Sequence, residues 1–227
     1  MQSLPMRRAG RKAQSGFTLV EIAIVLVIIG LLLGGVLKGQ ELIENGRVKN
    51  AANDMNGIVA AYNSYLDRYR KLPGDDGPIG TLTARGGQWT TAGITAGNND
   101  GVLTITAAQT FSGAGAESVA FFQHLRASGF ITGNPGDVGA NALPVNAWGG
   151  RLGVTNVAVQ GRPAARVMVC LGNVPGKAAA ALDVQLDDGQ PNNGSFRATQ
   201  GANNAVPAGA AAAYNESQTY TVCRDLT

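Results

Sequence analysis

The sequence predicts an α+β fold in which one long N-terminal helix packs against a small antiparallel β-sheet with long Gly-rich loops. An apolar stretch at residues 17–37 continues into an amphipathic pattern that runs to residue 70. The second half of the chain instead carries short β-branched segments separated by turn residues. A chain of 227 residues divided in this way has room for one long helix and one modest globular domain.

The apolar stretch is long enough to cross a bilayer as one helix, since a span needs about 20 predominantly apolar residues. Its acidic side chain, Glu21, lies one turn into the stretch, where an isolated carboxylate is costly and a functional partner is expected. Four basic residues and no acidic residue occupy positions 1–16, which indicates a cytoplasmic N-terminus and an exported body. A secretory signal peptide is the alternative, but it has a shorter apolar core and a small-residue cleavage site.

A basic leader that ends at Gly16, followed by the sequence FTLVE at the start of an apolar helix, resembles the class III leader of type IV prepilins and type II secretion pseudopilins. The resemblance implies a pilin-like fold. It also implies that a prepilin peptidase removes residues 1–16 by cutting after Gly16 and methylates the new N-terminus, Phe17. In this family the glutamate that matches Glu21 meets the N-terminal amine of a neighbouring subunit, which is a partner of the kind that a desolvated carboxylate needs.

Removal of the leader changes what the charge implies. The whole chain has 18 Lys and Arg residues against 15 Asp and Glu, but four of the basic residues belong to the leader. The remaining 14 basic residues leave the mature body with a formal side-chain charge of −1. We therefore expect no nucleic-acid contact by the mature body, because its charge balance provides no excess of positive charge.

The predicted helix covers residues 17–70, of which 17–37 form the transmembrane part and the later core of a filament. Apolar residues between 42 and 69 recur at spacings of three and four, which indicates a face that packs against the head. The sequence Leu-Pro-Gly at residues 72–74 is expected to end the helix. Residues 71–227 then form a periplasmic or extracellular head.

Glycines in the apolar stretch are spaced for close helix packing. Gly30 and Gly34 are four residues apart, as are Gly35 and Gly39. Such pairs allow the backbones of two membrane helices to approach closely. The alternative is that glycine is simply more frequent in membrane helices than in soluble ones.

The head is predicted to begin with long loops and to end with a sheet. Residues 74–115 are rich in Gly, Thr and Asn, and short strands are expected at 88–91 and 102–106. A short amphipathic helix is expected at 116–128. An antiparallel sheet of about four strands is predicted, with strands at 151–157, 165–171, 195–199 and 219–224. A helix with Leu182 and Leu186 facing inward is predicted at 177–186. An exposed loop is predicted at 205–213.

The sequence contains two cysteines, Cys170 and Cys223, which allow one intramolecular disulfide in an exported chain. Two unpaired buried thiols are the alternative. Type IV pilins commonly close a C-terminal D-region with a disulfide, so the resemblance implies that residues 170–223 form this region.

An acidic segment near the C-terminus has the oxygen ligands that calcium takes. Asp183, Asp187, Asp188 and Asn192 surround a glycine turn, and the resemblance implies a link to the calcium-binding C-terminal loop of major pseudopilins. The spacing does not match an EF-hand loop. A helix end followed by an Asp-Gly turn with solvated acids is the alternative.

Motifs for catalysis are not recognised in the sequence. The single histidine, His124, lies in the predicted short helix without a supporting motif, so a structural or surface role is expected. Residues 172–177 are similar to a phosphate-binding loop but lack one residue and the Ser or Thr that would hold magnesium. Two cysteines and one histidine do not make a structural zinc site. We expect no catalytic residues, and no cofactor other than the calcium considered above.

The resemblance implies a structural subunit of a type IV pilus-like filament, polymerised through its apolar helix. Its partners would be copies of itself or other pilins, the prepilin peptidase and an inner-membrane assembly platform. The chain would cross the inner membrane once before assembly and then belong to a cell-surface or periplasmic filament. A pseudopilin of a type II secretion system is one alternative, and a membrane-anchored periplasmic binding module that does not polymerise is another.

Overall fold

A computed structural model describes residues 18–226 of the chain, so the predicted processing residues Gly16 and Phe17 lie outside the described part. The chain divides into two compact units between Ile43 and Glu44. Helix α1, Leu19–Tyr69, supplies the described helix of the first unit and the first element of the second unit. All other helices and strands described below belong to the second unit.

In the first unit, residues 19–37 of α1 expose apolar side chains on every side of the helix. Between residues 19 and 37 the large apolar side chains are 45% to 91% exposed, and the most apolar window of the helix has a mean hydropathy of 2.8. The helix is long and apolar enough to cross a membrane, as the sequence predicts. A helix that is apolar all round is typical of a buried or membrane environment, because water would not solvate its side chains favourably.

In the second unit, one stripe of α1 lies in the core, which agrees with the predicted spacing. Glu44 also accepts a hydrogen bond from the indole of Trp148, at 2.8 Å. The helix ends at Tyr69, because Arg70 adopts a positive φ of 55° and its amide donates to the carbonyl of Leu66. The buried stripe consists of Val48, Ala51, Ala52, Met55, Ile58, Ala61, Tyr62 and Tyr65.

The prediction of two short strands before residue 107 is wrong. Gly87–Thr90 forms a 3₁₀ helix that buries Trp89, and no strand is assigned to residues 102–106. Leu103 and Ile105 of the second segment lie in the core, whereas Val102 is exposed. The backbone of the segment bonds irregularly, since the Ile105 carbonyl accepts both the amide of Asn156 and the hydroxyl of Thr155. The segment therefore covers the end of the sheet without forming a regular ladder.

Four further short helices follow in this part of the chain, and the sequence predicts one of them. The expected helix at 116–128 is confirmed as α3, Ala116–Ala127, whose residues are almost all buried. Two of the others lie in the segment 74–115 that was expected to form loops, and one lies between residues 129 and 150, for which no element was predicted. They are α2, Ile79–Thr83, and the 3₁₀ helices Ala107–Gln109 and Gly139–Ala142, in addition to the one at Trp89.

The predicted antiparallel sheet of four strands is confirmed. Its strands are β1, Leu152–Thr155, β2, Met168–Pro175, β3, Phe196–Gln200, and β4, Thr219–Asp225, in the order β1-β2-β4-β3. Helix α4, Gly176–Leu186, follows β2 directly; Leu182 is fully buried and Leu186 only partly. The segment 205–213 contains no regular element, as expected.

Loops cover both edges of the sheet. At β1, the Leu152 amide donates to the Pro144 carbonyl at 2.8 Å. At β3, the Ala198 amide donates to the Pro191 carbonyl at 2.9 Å, and the Ala198 carbonyl accepts the amide of Ala211 at 2.8 Å. Because these backbone groups already have partners, the edges do not offer a continuous template for a strand from another chain.

The predicted disulfide between Cys170 and Cys223 is confirmed, which excludes the alternative of two unpaired thiols. The cysteines lie opposite each other on β2 and β4. Both are fully buried and pack against Phe111 and Met168. The bond closes a segment with a sequence separation of 53, for which the chain-entropy estimate gives a stabilisation of about 4 kcal/mol.

His124 has a structural role, as the sequence predicts. Its Nδ1 accepts the amide of Gly74 at 3.0 Å, so its Nε2 carries the proton that it donates to the Thr95 carbonyl at 2.8 Å. The ring also stacks on Tyr65 of α1 with 6.2 Å between ring centroids. Burial lowers the pKa of His124 to about 4, so the ring is neutral at physiological pH and ties the end of α1 to α3.

The pKa of His124 makes stability depend on pH. The unfolded chain takes up this proton near pH 6.5 and the folded chain only near pH 4. Stability is therefore fully present above about pH 6.5 and falls by about 1.4 kcal/mol per pH unit as the pH decreases towards 4. We expect the full chain in detergent to lose about 2–3 kcal/mol more than the His124→Asn variant between pH 7.5 and 4.5, measured by denaturant unfolding.

The comparison of the two chains also controls for the carboxylates, because these groups titrate in the wild type and in the variant alike. Asparagine offers an oxygen acceptor for the amide of Gly74 but does not titrate. Equal losses of stability in the two chains would contradict a buried, neutral His124.

Candidate assembly helix and acidic cluster

Glu21 has a hydrogen-bonding partner within its own chain. Its Oε2 accepts the amide of Thr18 at 2.8 Å and the hydroxyl of Thr18 at 2.9 Å. In return, the Glu21 amide donates to the Thr18 hydroxyl at 3.3 Å. This is a capping box at the start of α1, and the sequence signals it through Thr and Glu three positions apart. This pairing of Glu21 with Thr18 was not predicted from the sequence.

The capping box leaves Glu21 able to bind a further donor. An ionised carboxylate has about four lone-pair sites, and Thr18 occupies two of them. The position near the helix N-terminus also favours a negative charge. An ammonium group could therefore bind Glu21 without complete loss of the cap. Phe17 is outside the described residues, so contact between Glu21 and its amine stays a prediction.

The glycines of the apolar stretch face open space. No atom lies within 4 Å of the position that a Cβ would occupy at Gly30, Gly34, Gly35 or Gly39. Helix α1 runs through all four without interruption. The backbone is thus accessible at these positions, as close packing requires, and the packing itself stays a prediction.

Three of the four residues predicted to bind calcium lie together. Carboxylate oxygens of Asp183, Asp187 and Asp188 are within 4.8 Å of one another. Asp183 is fully buried on α4, and the other two follow the end of this helix. Burial raises the pKa of Asp183, hydrogen bonds from Tyr214 and Gly189 oppose this shift, and the charges of the two neighbouring aspartates add to it.

Each carboxylate of the cluster already accepts hydrogen bonds. The Tyr214 hydroxyl and the Gly189 amide donate to Asp183 at 2.7 and 3.0 Å. The Phe196 amide donates to Asp187 at 2.8 Å. The predicted ligand Asn192 is exposed, and it is the side chain of Asn193 that donates to Asp188, at 2.7 Å. The geometry thus fits an ordered turn, with oxygen lone pairs left for a cation.

The segment that is similar to a phosphate-binding loop has another role. Residues 172–177 consist of the end of β2 and the start of α4. The Gly172 carbonyl accepts the side chain of Asn146 at 2.7 Å, and the Gly176 amide donates to the carbonyl of Gln218 at 2.8 Å. These bonds fix the end of β2 and the start of α4 to neighbouring segments of the second unit.

The long apolar N-terminal helix and the small antiparallel four-stranded sheet form a pilin-like α+β architecture, as the sequence predicts. The prokaryotic N-terminal methylation motif matches residues 11–37. This match covers the end of the basic leader, the residues around the predicted cleavage site and the apolar part of α1.

The chain is also similar to the fimbrial protein EcpC of Eikenella corrodens, with 29% identity over 98 residues. The aligned region covers 42% of this chain and 64% of the relative, so the chain spans less than two thirds of that protein. No solved structure matches the chain significantly. The motif and the relative together support the resemblance to type IV pilins.

Proposed function

We propose that this chain is the structural subunit of a type IV pilus-like filament. A prepilin peptidase would remove residues 1–16 and methylate Phe17, and an inner-membrane assembly platform would then add the subunit to the filament. The chain would cross the inner membrane once, with its second unit in the periplasm, until assembly. The filament would finally lie at the cell surface or in the periplasm.

The observation that carries this proposal is the uncovered apolar surface of α1. Its first half exposes large side chains all round the helix, which is compatible with lipid before assembly and with other helices afterwards. The methylation motif at residues 11–37 supports processing at the start of this same segment. The similarity to a fimbrial protein supports assembly into a fibre.

Two alternatives remain within reach of experiment. A pseudopilin of a type II secretion system would be processed and assembled in the same way, but its filament would not be released from the cell surface by shearing. A membrane-anchored binding module would use the same span without polymerising. The acidic cluster favours the pseudopilin, while the Cys170–Cys223 disulfide favours the pilin.

The first test is the intact mass of the protein extracted from its native membranes. We expect the mass to be lower by residues 1–16 and higher by about one methyl group, because the peptidase cuts before Phe17 and methylates it. A Gly16→Val variant is the matched control, since a larger side chain at the cleavage site should block processing. A wild-type mass that includes the leader would contradict the proposal and leave an anchored module.

The second test separates the two roles of Glu21. We expect Glu21→Ala to insert into the membrane normally but to reduce sheared filaments by about 100-fold or more, because breaking a buried ion pair costs about 3–5 kcal/mol. Thr18→Val is the control, since it removes the hydroxyl of the cap and keeps the carboxylate. Normal filaments from Glu21→Ala would exclude an assembly role, and equal defects in both variants would assign the effect to the cap.

Calcium is the cation that we propose for the acidic cluster. The residues fit it, because three carboxylates converge and calcium is bound by hard oxygen ligands. Bound calcium would supply positive charge between Asp183, Asp187 and Asp188. These residues would hold the end of α4 against the loop that contains Tyr214.

We expect calcium at about 100 times its Kd to stabilise the full chain by about 2.7 kcal/mol relative to chelator, measured by thermal unfolding in detergent. Asp188→Asn should abolish this shift, because it removes one charge of the cluster. Asp100→Asn is the matched control, since this exposed acid lies in another Asp-Gly turn. Identical unfolding of the wild type in calcium and in chelator would favour the hydrogen-bonded turn alone.

A further inference from the structure

Two charged side chains of α1, Lys49 and Asp54, have no side-chain hydrogen bond, ion pair or ring contact within the part of the chain that the structure describes. Lys38 pairs with Glu41 at 2.8 Å, and Arg47 approaches Glu44 at 3.4 Å. Lys49 and Asp54 are both exposed, and among residues 18–226 neither makes a hydrogen bond or an ion pair. Lys49 is positively charged and Asp54 is negatively charged, so each could be the ion-pair partner of the other.

The helix places these two side chains on different flanks. Five residues correspond to about 140° around an α-helix and about 7.5 Å along its axis. Lys49 follows the buried Val48, and Asp54 precedes the buried Met55. The buried stripe therefore runs between them, and within one chain they cannot face each other.

A cavity of about 290 Å³ lies beside Asp54. Most of its lining is apolar, and the protein around it partly desolvates the carboxylate, which raises the pKa of Asp54. At Gly57, which lines the cavity, no atom lies within 4 Å of the position that a Cβ would occupy, so the space beside this residue is open. Besides Asp54, the lining includes Gly57, Ile58, Phe130, Ile131 and Val145.

The chemistry of this cavity fits a lysine side chain. The four methylenes of lysine can lie along an apolar wall while its ammonium group stays at the polar rim. The rim here provides an unpaired carboxylate. Arg47 is less suited than Lys49 to bind this carboxylate, because Arg47 already pairs with Glu44. Lys71 and Lys177 lie outside α1.

We propose that Lys49 of one copy of the chain enters the cavity of a second copy and binds its Asp54. The contact rests on the proposed function, since it needs copies that associate side by side. Copies anchored in one membrane have the same orientation, and an axial offset of about 7.5 Å brings Lys49 of one level with Asp54 of the next. The two flanks differ, so each copy offers a free Lys49 and a free Asp54 to further copies. Such a heterologous contact propagates into a helical filament if its rotation does not close a ring.

Charge reversal tests this contact in cells that assemble the full chain. We expect Lys49→Asp and Asp54→Lys each to reduce sheared filaments by about tenfold or more, because each places like charges together in the interface. The double variant Lys49→Asp/Asp54→Lys restores the pair with its charges exchanged. It should recover filaments to within about threefold of the wild type.

Lys71→Asp is the matched control, since it reverses an exposed lysine just beyond the end of α1 and should leave the filament yield unchanged. Thermal unfolding of each variant in detergent should stay close to that of the wild type, because surface substitutions usually change stability by less than about 0.5 kcal/mol. Wild-type filaments together with normal assembly of both single variants would overturn the contact alone. Two defective single variants without recovery in the double variant would also overturn it. An absence of filaments from the processed wild type would overturn the proposed function and the contact together.

Discussion

The uncovered apolar surface of α1 is the constraint on which the rest of the structure depends. Between residues 19 and 37 no face of the helix is polar enough to select water. The segment needs lipid or other helices at every stage, because solvent exposure of so many large apolar side chains is unfavourable. An anchor that later becomes an interface meets this requirement without any change in the helix.

The second unit uses the same helix in a different way. From Val48 onwards only one stripe of α1 is buried, and the sheet and α3 complete the core around it. Loops occupy the backbone groups at the edges of β1 and β3. Association through the sheet edges is therefore disfavoured, whereas the exposed flanks of α1 are accessible to another copy.

The sequence was sufficient to predict the elements whose residues repeat regularly. Helix α1, the four strands and the disulfide follow from apolar periodicity, β-branched segments and a single pair of cysteines. The segment before residue 107 was not predictable in the same way. Its buried residues, among them Trp89 and Ile105, are isolated within Gly- and Thr-rich sequence, and only their tertiary contacts decide their conformation.

The site residues show a similar division. The approach of Asp183 to two further aspartates follows from their proximity in sequence. The hydrogen bonds from Tyr214 and Phe196 do not, because these residues come from distant segments that only the fold brings together. The Gly74 amide reaches His124 across 50 positions for the same reason. Polar partners that are far apart in sequence leave no local pattern.

The capping box at Glu21 bears on how such a subunit could move from lipid into a filament. A carboxylate without any partner in lipid would cost several kcal/mol, which would oppose membrane insertion. Thr18 reduces this cost in the single chain by donating two hydrogen bonds. A neutral hydroxyl and an amide bind a carboxylate less strongly than an ammonium group does. The hydrogen bonds from Thr18 can thus stabilise Glu21 while the helix is in the membrane. They are weak enough for a charged partner to replace them. If the stronger partner comes from another chain, as in the proposed filament, the gain in free energy at Glu21 would favour association.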